Sequence, residues 1–416
     1  DPDFVMGQCL KGYLLTLFGS TAYDEAIRDC LAFCEGRLGG LTPRETAHVA
    51  ALKVLARGDL RQADLIWDGI LVEHPRDLLA LRLQHFALFY MGDGPGLRDA
   101  IARVLPAWDE ALPGYGFVLG MRAFGLEESG DYGAAEAAGR RATALNPDDL
   151  WAIHAVSHVL EMQGRCKEGL AWLDQPLDIW DDRNAFKEHL WWHRALYHHE
   201  TGGYDAVLEL YDTAVRRDKE SDFYLNLVNC AALLWRLVFQ GVDVGERWEE
   251  LAAMCEARIE DHVLIFSDLH FCMALAGAGR IGAIERQLDS LESFGATPGN
   301  TAAATVAPVA LPLCRALKSF AEGEHDEAVA LMLPIRRDTA CLGGSHAQRD
   351  IFGQFLIEAA LKAGQHKLAR ALLAERVALK PHSAGSWRKC AEVLEALGDL
   401  HGAAEASKRF DQVMMG

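Results

Sequence analysis

The chain has 416 residues, 50% hydrophobic and 24% charged, with a mean hydropathy of zero, a balance that excludes a disordered or membrane-embedded chain. Lys and Arg number 41 against 60 Asp and Glu, a net charge of −19 with no basic stripe to offset it, so nucleic acid and anionic membrane are excluded as partners. Ten cysteines without a Cys-x-x-Cys pair read as buried free thiols in a reducing compartment, and the expected location is the cytoplasm.

In chain order, the start at Asp1 rather than Met implies a segment preceding it, and no apolar run reaches the roughly 18 residues of a membrane span. One unit then recurs: an apolar helix, a Gly, a spacer, an apolar or aromatic residue and, three residues later, a small one. Its copies begin at Gly58, Gly130, Gly164, Gly202, Gly323, Gly364 and Gly398. Gly130 to Gly164 and Gly364 to Gly398 are steps of 34 residues, the tetratricopeptide period. Each Gly stands where a first helix ends and the chain turns back, a φ > 0 position. Pro75, Pro147 and Pro381 each fall 17 residues after their Gly and close the unit. A generic bundle with helix-ending glycines is the competing reading. Gly92 to Gly96, Gly-Asp-Gly-Pro-Gly, reads as a turn rather than a phosphate loop.

The expected fold is all-α, one domain over 1–416: a superhelical array of tetratricopeptide-type hairpins, or α-solenoid. Regular repeats are expected over about 44–214 and 309–416, with an irregular helical section over about 215–308. Ala296 to Gly299 and Ala307 to Pro312 are the expected irregular connections. No alternating strand-length segment is present.

Chemistry concentrates in a few helices. His154, His158 and Glu161 stand at i, i+4 and i+7, hence on one face of a first helix, and the resemblance of the unit to tetratricopeptide repeats implies that such helices line the concave groove. His189 and His193 repeat the spacing beside Trp191 and Trp192, ahead of His198 and His199. Taken singly, Trp191 reads as core and His198 and His199 as solvated. Two such pairs invite a divalent metal, with His154, His158 and Glu161 as candidate ligands, although Ala155 stands where a zincin carries its Glu. Asp261-His262 and Asp268-Leu-His270 follow. Gly343-Gly-Ser345-His346 opens a helix whose free N–H groups suit an anion, with Arg349 as a clamp; the alternative is Ser345 as an ordinary N-cap. Sequence does not settle whether a Ser-His-Asp set meets in space.

The start Asp1 to Gly7, Leu41 to Glu45 with His48, the His154/His158/Glu161 helix, Trp192-His193, Asp261 to Phe271 and Leu342 to Phe352 together resemble the tetratricopeptide repeat protein 38 family. The match runs in order along nearly the whole chain. It implies a helical-repeat fold and a polar cluster of His154, His158, Glu161, His193, Asp268, His270, Arg349 and Asp350, and it brings no established reaction.

The resulting expectation is a deep central pocket that binds, and in its stronger form transforms, a small polar molecule. His154, His158, Glu161, His193, His270, Arg349 and Asp350 are the expected catalytic groups. His189, Trp192, Asp268 and His346 are the expected ligand-binding ones. The alternative is a scaffold holding a peptide or protein partner in its groove. A divalent metal is the one cofactor considered, and oligomeric state is left open.

Overall fold

The computed structural model describes residues 3–174, 180–181 and 183–415; Asp1 and Pro2 of the N-terminal motif lie outside the described residues. The chain is 75% helical, and every regular element among the described residues is a helix. All seven phased glycines adopt positive φ, between +68° and +84°. Each terminates a first helix, as Gly130 does between Tyr115–Glu128 and Tyr132–Leu145. The prolines act as expected too: Leu60–Glu73, Tyr132–Leu145 and His366–Leu379 end just before Pro75, Pro147 and Pro381. Asp59, Asp77 and Asp131 cap the following helices by accepting from Gln62, Ala80 and Ala134 N–H, satisfying otherwise orphaned donors.

Hairpins persist through 215–308 with longer connections. Tyr224–Val238 pairs with Arg247–Glu256, and Ile265–Gly277 with Ile281–Phe294, turning at Gly241 and Gly279. Short π-helical turns at Tyr211–Val215 and Val306–Ala310 bracket this section. Gly92 is a further hairpin glycine: the Gly-Asp-Gly-Pro-Gly run is the turn from Leu78–Tyr90 into Gly94–Val104.

The array winds far enough to close on itself. Arg258 donates to Gly19 O at 2.6 Å and Thr301 N to Gly58 O at 2.9 Å. On the other seam His346 N donates to Glu128 at 3.0 Å. Gly92 belongs to that seam: a Cβ there would stand 1.7 Å from Ala340 O, so only glycine admits the approach. The concave side is therefore an interior, and polar residues on inner helices become buried instead of facing a groove. No helix among the described residues is long and apolar enough to cross a membrane.

The thiols are free, all buried except the half-buried Cys341. Burial pushes the Cys9, Cys166 and Cys230 thiols up to about 12, which keeps them protonated and unreactive.

Candidate functional site

Four first helices stand side by side on the inner wall: Tyr115–Glu128, Leu150–Met162, Lys187–Glu200 and Tyr224–Val238. The second of them, Leu-Trp-Ala-Ile-His-Ala-Val-Ser-His-Val-Leu-Glu, is buried from Leu150 to Glu161, as its apolar residues on every face require. Tyr197 ties it to the third by donating to Ser157 O at 2.7 Å. Their i, i+4 pairs consequently face one another, and His154, His158, His189 and His193 form one group with a nitrogen of each within 4.8 Å of the others. All four are at most 3% exposed.

Two of the four outward nitrogens are held by hydrogen-bond partners. His193 Nδ1 donates to Glu161 Oε2 at 3.1 Å, and Glu161 Oε1 accepts from Lys380 Nζ at 3.0 Å. His189 Nδ1 donates to Asn229 Oδ1 at 3.2 Å. His158 Nδ1 faces Glu127 Oε2 at 3.8 Å. With protons fixed on Nδ1 of His189 and His193, their lone pairs remain on the Nε2 side, which is the side that converges; Nδ1 of His154 and of His158 has no hydrogen-bond partner among the described residues. His154 Nε2 lies 2.7 Å from His158 Nε2 and 3.0 Å from His189 Nε2, while His193 Nε2 has no hydrogen-bond partner. Converging lone pairs repel, and a shared proton relieves one contact only. A cation at the centre would convert the repulsion into bonds; ligand nitrogens about 2.0–2.1 Å from a metal sit roughly 3.3 Å apart in a tetrahedron, wider than the two contacts at 2.7 and 3.0 Å and within the 4.8 Å that the group spans.

Burial, reinforced by the neighbouring imidazoles, holds His154, His158 and His189 well below the ordinary histidine range, in the neutral form that ligates metals. Burial alone would raise Glu161, but Lys380 and His193 outweigh it and hold the carboxyl well below the usual carboxylate range. Glu127 is the opposite case. Burial, then Glu128 and Glu161, push it well above that range, and neither of its oxygens has a hydrogen-bond partner among the described residues.

A cavity of about 770 Å³ reaches this cluster at His154 and His189. Its walls are mainly aromatic and aliphatic, including Phe86, Phe89, Trp151, Phe186 and Tyr224, and Arg82 projects into it. Trp192 stacks on His189 at 5.1 Å and does not line the cavity. A smaller cavity of about 280 Å³, bordered by His262 and Trp67, is lined by none of the four imidazoles.

The other expected site residues lie elsewhere. Glu161 is not in the imidazole group; it sits behind His193. His270 packs between Phe266 and Phe352, its Nδ1 donating to Phe266 O at 2.7 Å. Asp268 accepts from His262 Nδ1 at 3.1 Å, and His262 Nε2 meets Ser290 Oγ at 2.8 Å. That is the connectivity of a nucleophilic triad, but Ser290 is inside Ile281–Phe294, where the neighbouring N–H groups are spent on the helix and none is left for an oxyanion. Arg349 and His346 fasten the seam: Arg349 reaches Glu128 Oε2 at 3.4 Å and Gly343 O, and His346 Nε2 donates to Glu128 O at 2.9 Å. Asp350 pairs with Arg376 and accepts from Gln354 at 2.8 Å. Ser345 is an N-cap in a capping box with Gln348. Gly343 and Gly344 lie against Tyr90 and Phe266, so the pair serves close packing of the seam. His199 is buried, with Nε2 3.2 Å from Arg236 O, because ring closure covers the face on which solvent was expected. Trp191 is half-buried and donates to Asp181 at 2.7 Å.

Sequence reasoning did not single out Glu127, Asn229, Lys380 or Arg82. A signal exists for three of them: Arg82, Glu127 and Asn229 are polar residues within strongly apolar helix segments. Lys380 carries none, since it arrives from 219 residues away.

No family model matches the chain. Among solved structures, the human IFIT1 dimer with PPP-AAAA is similar at 15% identity over 99% of this chain and 95% of that one, with a TM-score of 0.43. The Cut9–Hcn1 hetero-tetramer of APC/C is similar at 13% identity, covering 95% and 83%, with a TM-score of 0.39. The P58(IPK) TPR domain is similar at 12% identity, covering 89% and 93%, with a TM-score of 0.25.

Proposed function

We propose that this protein is a metal-dependent small-molecule protein, in which His154, His158, His189 and His193 hold one divalent first-row metal at the inner end of the 770 Å³ cavity. The observation that carries the reading is four buried imidazoles with a nitrogen of each converging, two of which, His193 and His189, are braced at Nδ1 by Glu161 and Asn229, while Glu127 stands 3.8 Å from His158 Nδ1. A hydrogen bond at the nitrogen facing away is how proteins fix the tautomer of ligating histidines. An all-imidazole set suits Zn, Fe, Cu or Ni over Mg or Ca. Since His154 and His189 border the cavity, a metal with more than four coordination positions turns its open ones toward a bound molecule, the arrangement of a catalytic centre.

The cavity favours a small molecule over the other partners considered. It is largely apolar and open at a rim of Leu14, Phe18 and Phe117, whereas a peptide groove is open along its length, and it offers one guanidinium where an oligophosphate calls for several cations. We also read the chain as a relative of the tetratricopeptide repeat protein 38 family, on the irregular segments 261–271 and 342–352.

Cobalt loading tests the centre. Metal-free protein titrated with Co²⁺ should develop visible ligand-field bands that saturate near one equivalent, and His158→Gln and His193→Gln should each abolish saturation while the helical circular dichroism stays unchanged. Saturation at an undiminished level in both variants would remove the metal from the proposal.

A further inference from the structure

We infer that the cavity selects a monocarboxylate with an apolar body, gripped by Arg82; this names the ligand class of the site proposed above. Arg82 belongs to Leu78–Tyr90, the inner helix before the one that carries Glu127. Its guanidinium carbon lies 4.2 Å from the Phe86 ring centre and 4.4 Å from that of Trp151. Two aromatic faces hold the group and leave the N–H edge for an acceptor. Among the described residues none accepts a hydrogen bond from it or forms an ion pair with it within 4.0 Å. The guanidinium is half-buried and its donors meet no protein acceptor, so a carboxylate entering the cavity gains charge-assisted hydrogen bonds in surroundings drier than bulk water.

The other charges facing the cavity are two carboxylates, one paired and one capping a helix through a single oxygen, Asp149 Oδ2 having no hydrogen-bond partner among the described residues. Asp148 is exposed and paired with Arg183 at 3.1 Å. Asp149 caps its helix by accepting from Trp151 N at 3.0 Å, where the helix dipole favours its charge; it stands near enough to support the Arg82 charge without pairing to it. Burial brings Arg82 only down to about 10, so it is cationic at neutral pH. One fork-shaped cation matches one carboxylate, and walls of Phe89, Phe117, Met121 and Leu78 match a hydrocarbon body. Pockets of this size take ligands of drug-like dimensions. Trp151 links the two ends: its ring is 5.2 Å from that of His154, which puts the anchor one indole away from the imidazole cluster.

Octanoate, octanol and octylamine are matched probes of chain and head group, and Trp151 fluorescence or calorimetry reads binding. Wild-type protein should bind octanoate at least about tenfold more tightly than octanol, a difference of about 1.4 kcal/mol, and octylamine most weakly. Arg82→Met should erase the preference for octanoate, keep octanol binding, and leave cobalt uptake at one equivalent. Equal affinity for octanoate and octanol, a preference that survives Arg82→Met, or no binding of octanoate would each overturn the inference. Loss of cobalt uptake in wild type, with the carboxylate preference intact, would instead fail the metal proposal and leave this one standing.

Discussion

Glu161 and Glu127 show how two carboxylates on neighbouring helices take opposite states. Glu161 is ionised because Lys380 and His193 meet it; Glu127 is pushed toward its neutral form because no cation does. Glu161→Gln should leave Lys380 buried without its counter-charge and cost about 3 kcal/mol of stability, together with a loss of roughly 10–100-fold in metal affinity as His193 loses its brace; chemical denaturation and cobalt titration read the two effects. Glu127→Gln should behave differently, changing the stability of the metal-free protein little while weakening metal binding, because a metal on His158 is what draws Glu127 into its ionised form. Equal destabilisation by both substitutions in metal-free protein would contradict the assignment. The i, i+4 histidine pairs were legible in the sequence since spacing fixes a helix face. Their bracing groups were not, because Asn229 and Lys380 meet the cluster only through tertiary packing.

At the scale of the helical elements, the histidines carry a pH dependence with a definite sign. His154, His158 and His189 are held well below the ordinary 6.5, as is His85, while burial lowers His199 to about 4 and His270 to about 3. Below about pH 6.5 the unfolded chain binds protons that the folded one cannot, so stability present above that pH is lost progressively as the pH falls toward 4. Asp268, raised to about 6 by burial, works the other way over the lower part of that window, as do Glu127 and Asp149, which burial also raises, and the six lowered histidines outnumber these three. Thermal melts of metal-free protein should therefore drop between pH 7 and pH 5; a flat profile would contradict neutral burial of the imidazoles. The hairpin turns supply a second test. Gly130 has φ +82° and open space where a Cβ would go, whereas at Gly92, φ +68°, a Cβ would collide with Ala340 O. Gly130→Ala should cost about 1 kcal/mol for the left-handed conformation, and Gly92→Ala considerably more, since the seam must open as well. Seven turn glycines were legible because φ > 0 is a local demand. Gly92, read as a turn, was not placed in the repeat because a Gly-Pro helix start follows at 94–95; Gly241 and Gly279 escaped because the second helix is delayed after 241 and Ile284 stands in the small-residue place after 279.

Across the whole molecule, closure of the array decides what the inner face does. The small rotation from one hairpin to the next accumulates until residues more than 200 positions apart meet, as Glu128 with His346 and Glu161 with Lys380 do. No single repeat encodes that sum, which is why Arg349 and His346 looked like ligand groups of the expected central pocket when they close the seam, and why Asp350 looked like one when it pairs with Arg376. Closure also removes water from the histidines and so creates both their neutrality and the cavity beside them. The most direct measurement of the central claim is elemental analysis of the purified, unchelated protein beside His158→Gln and His193→Gln. About one equivalent of a first-row metal per chain in wild type is predicted, with far less in either variant and a melting temperature that falls when the wild-type metal is stripped. A wild-type protein that carries no metal, takes none up, and melts at the same temperature with and without chelator would contradict it.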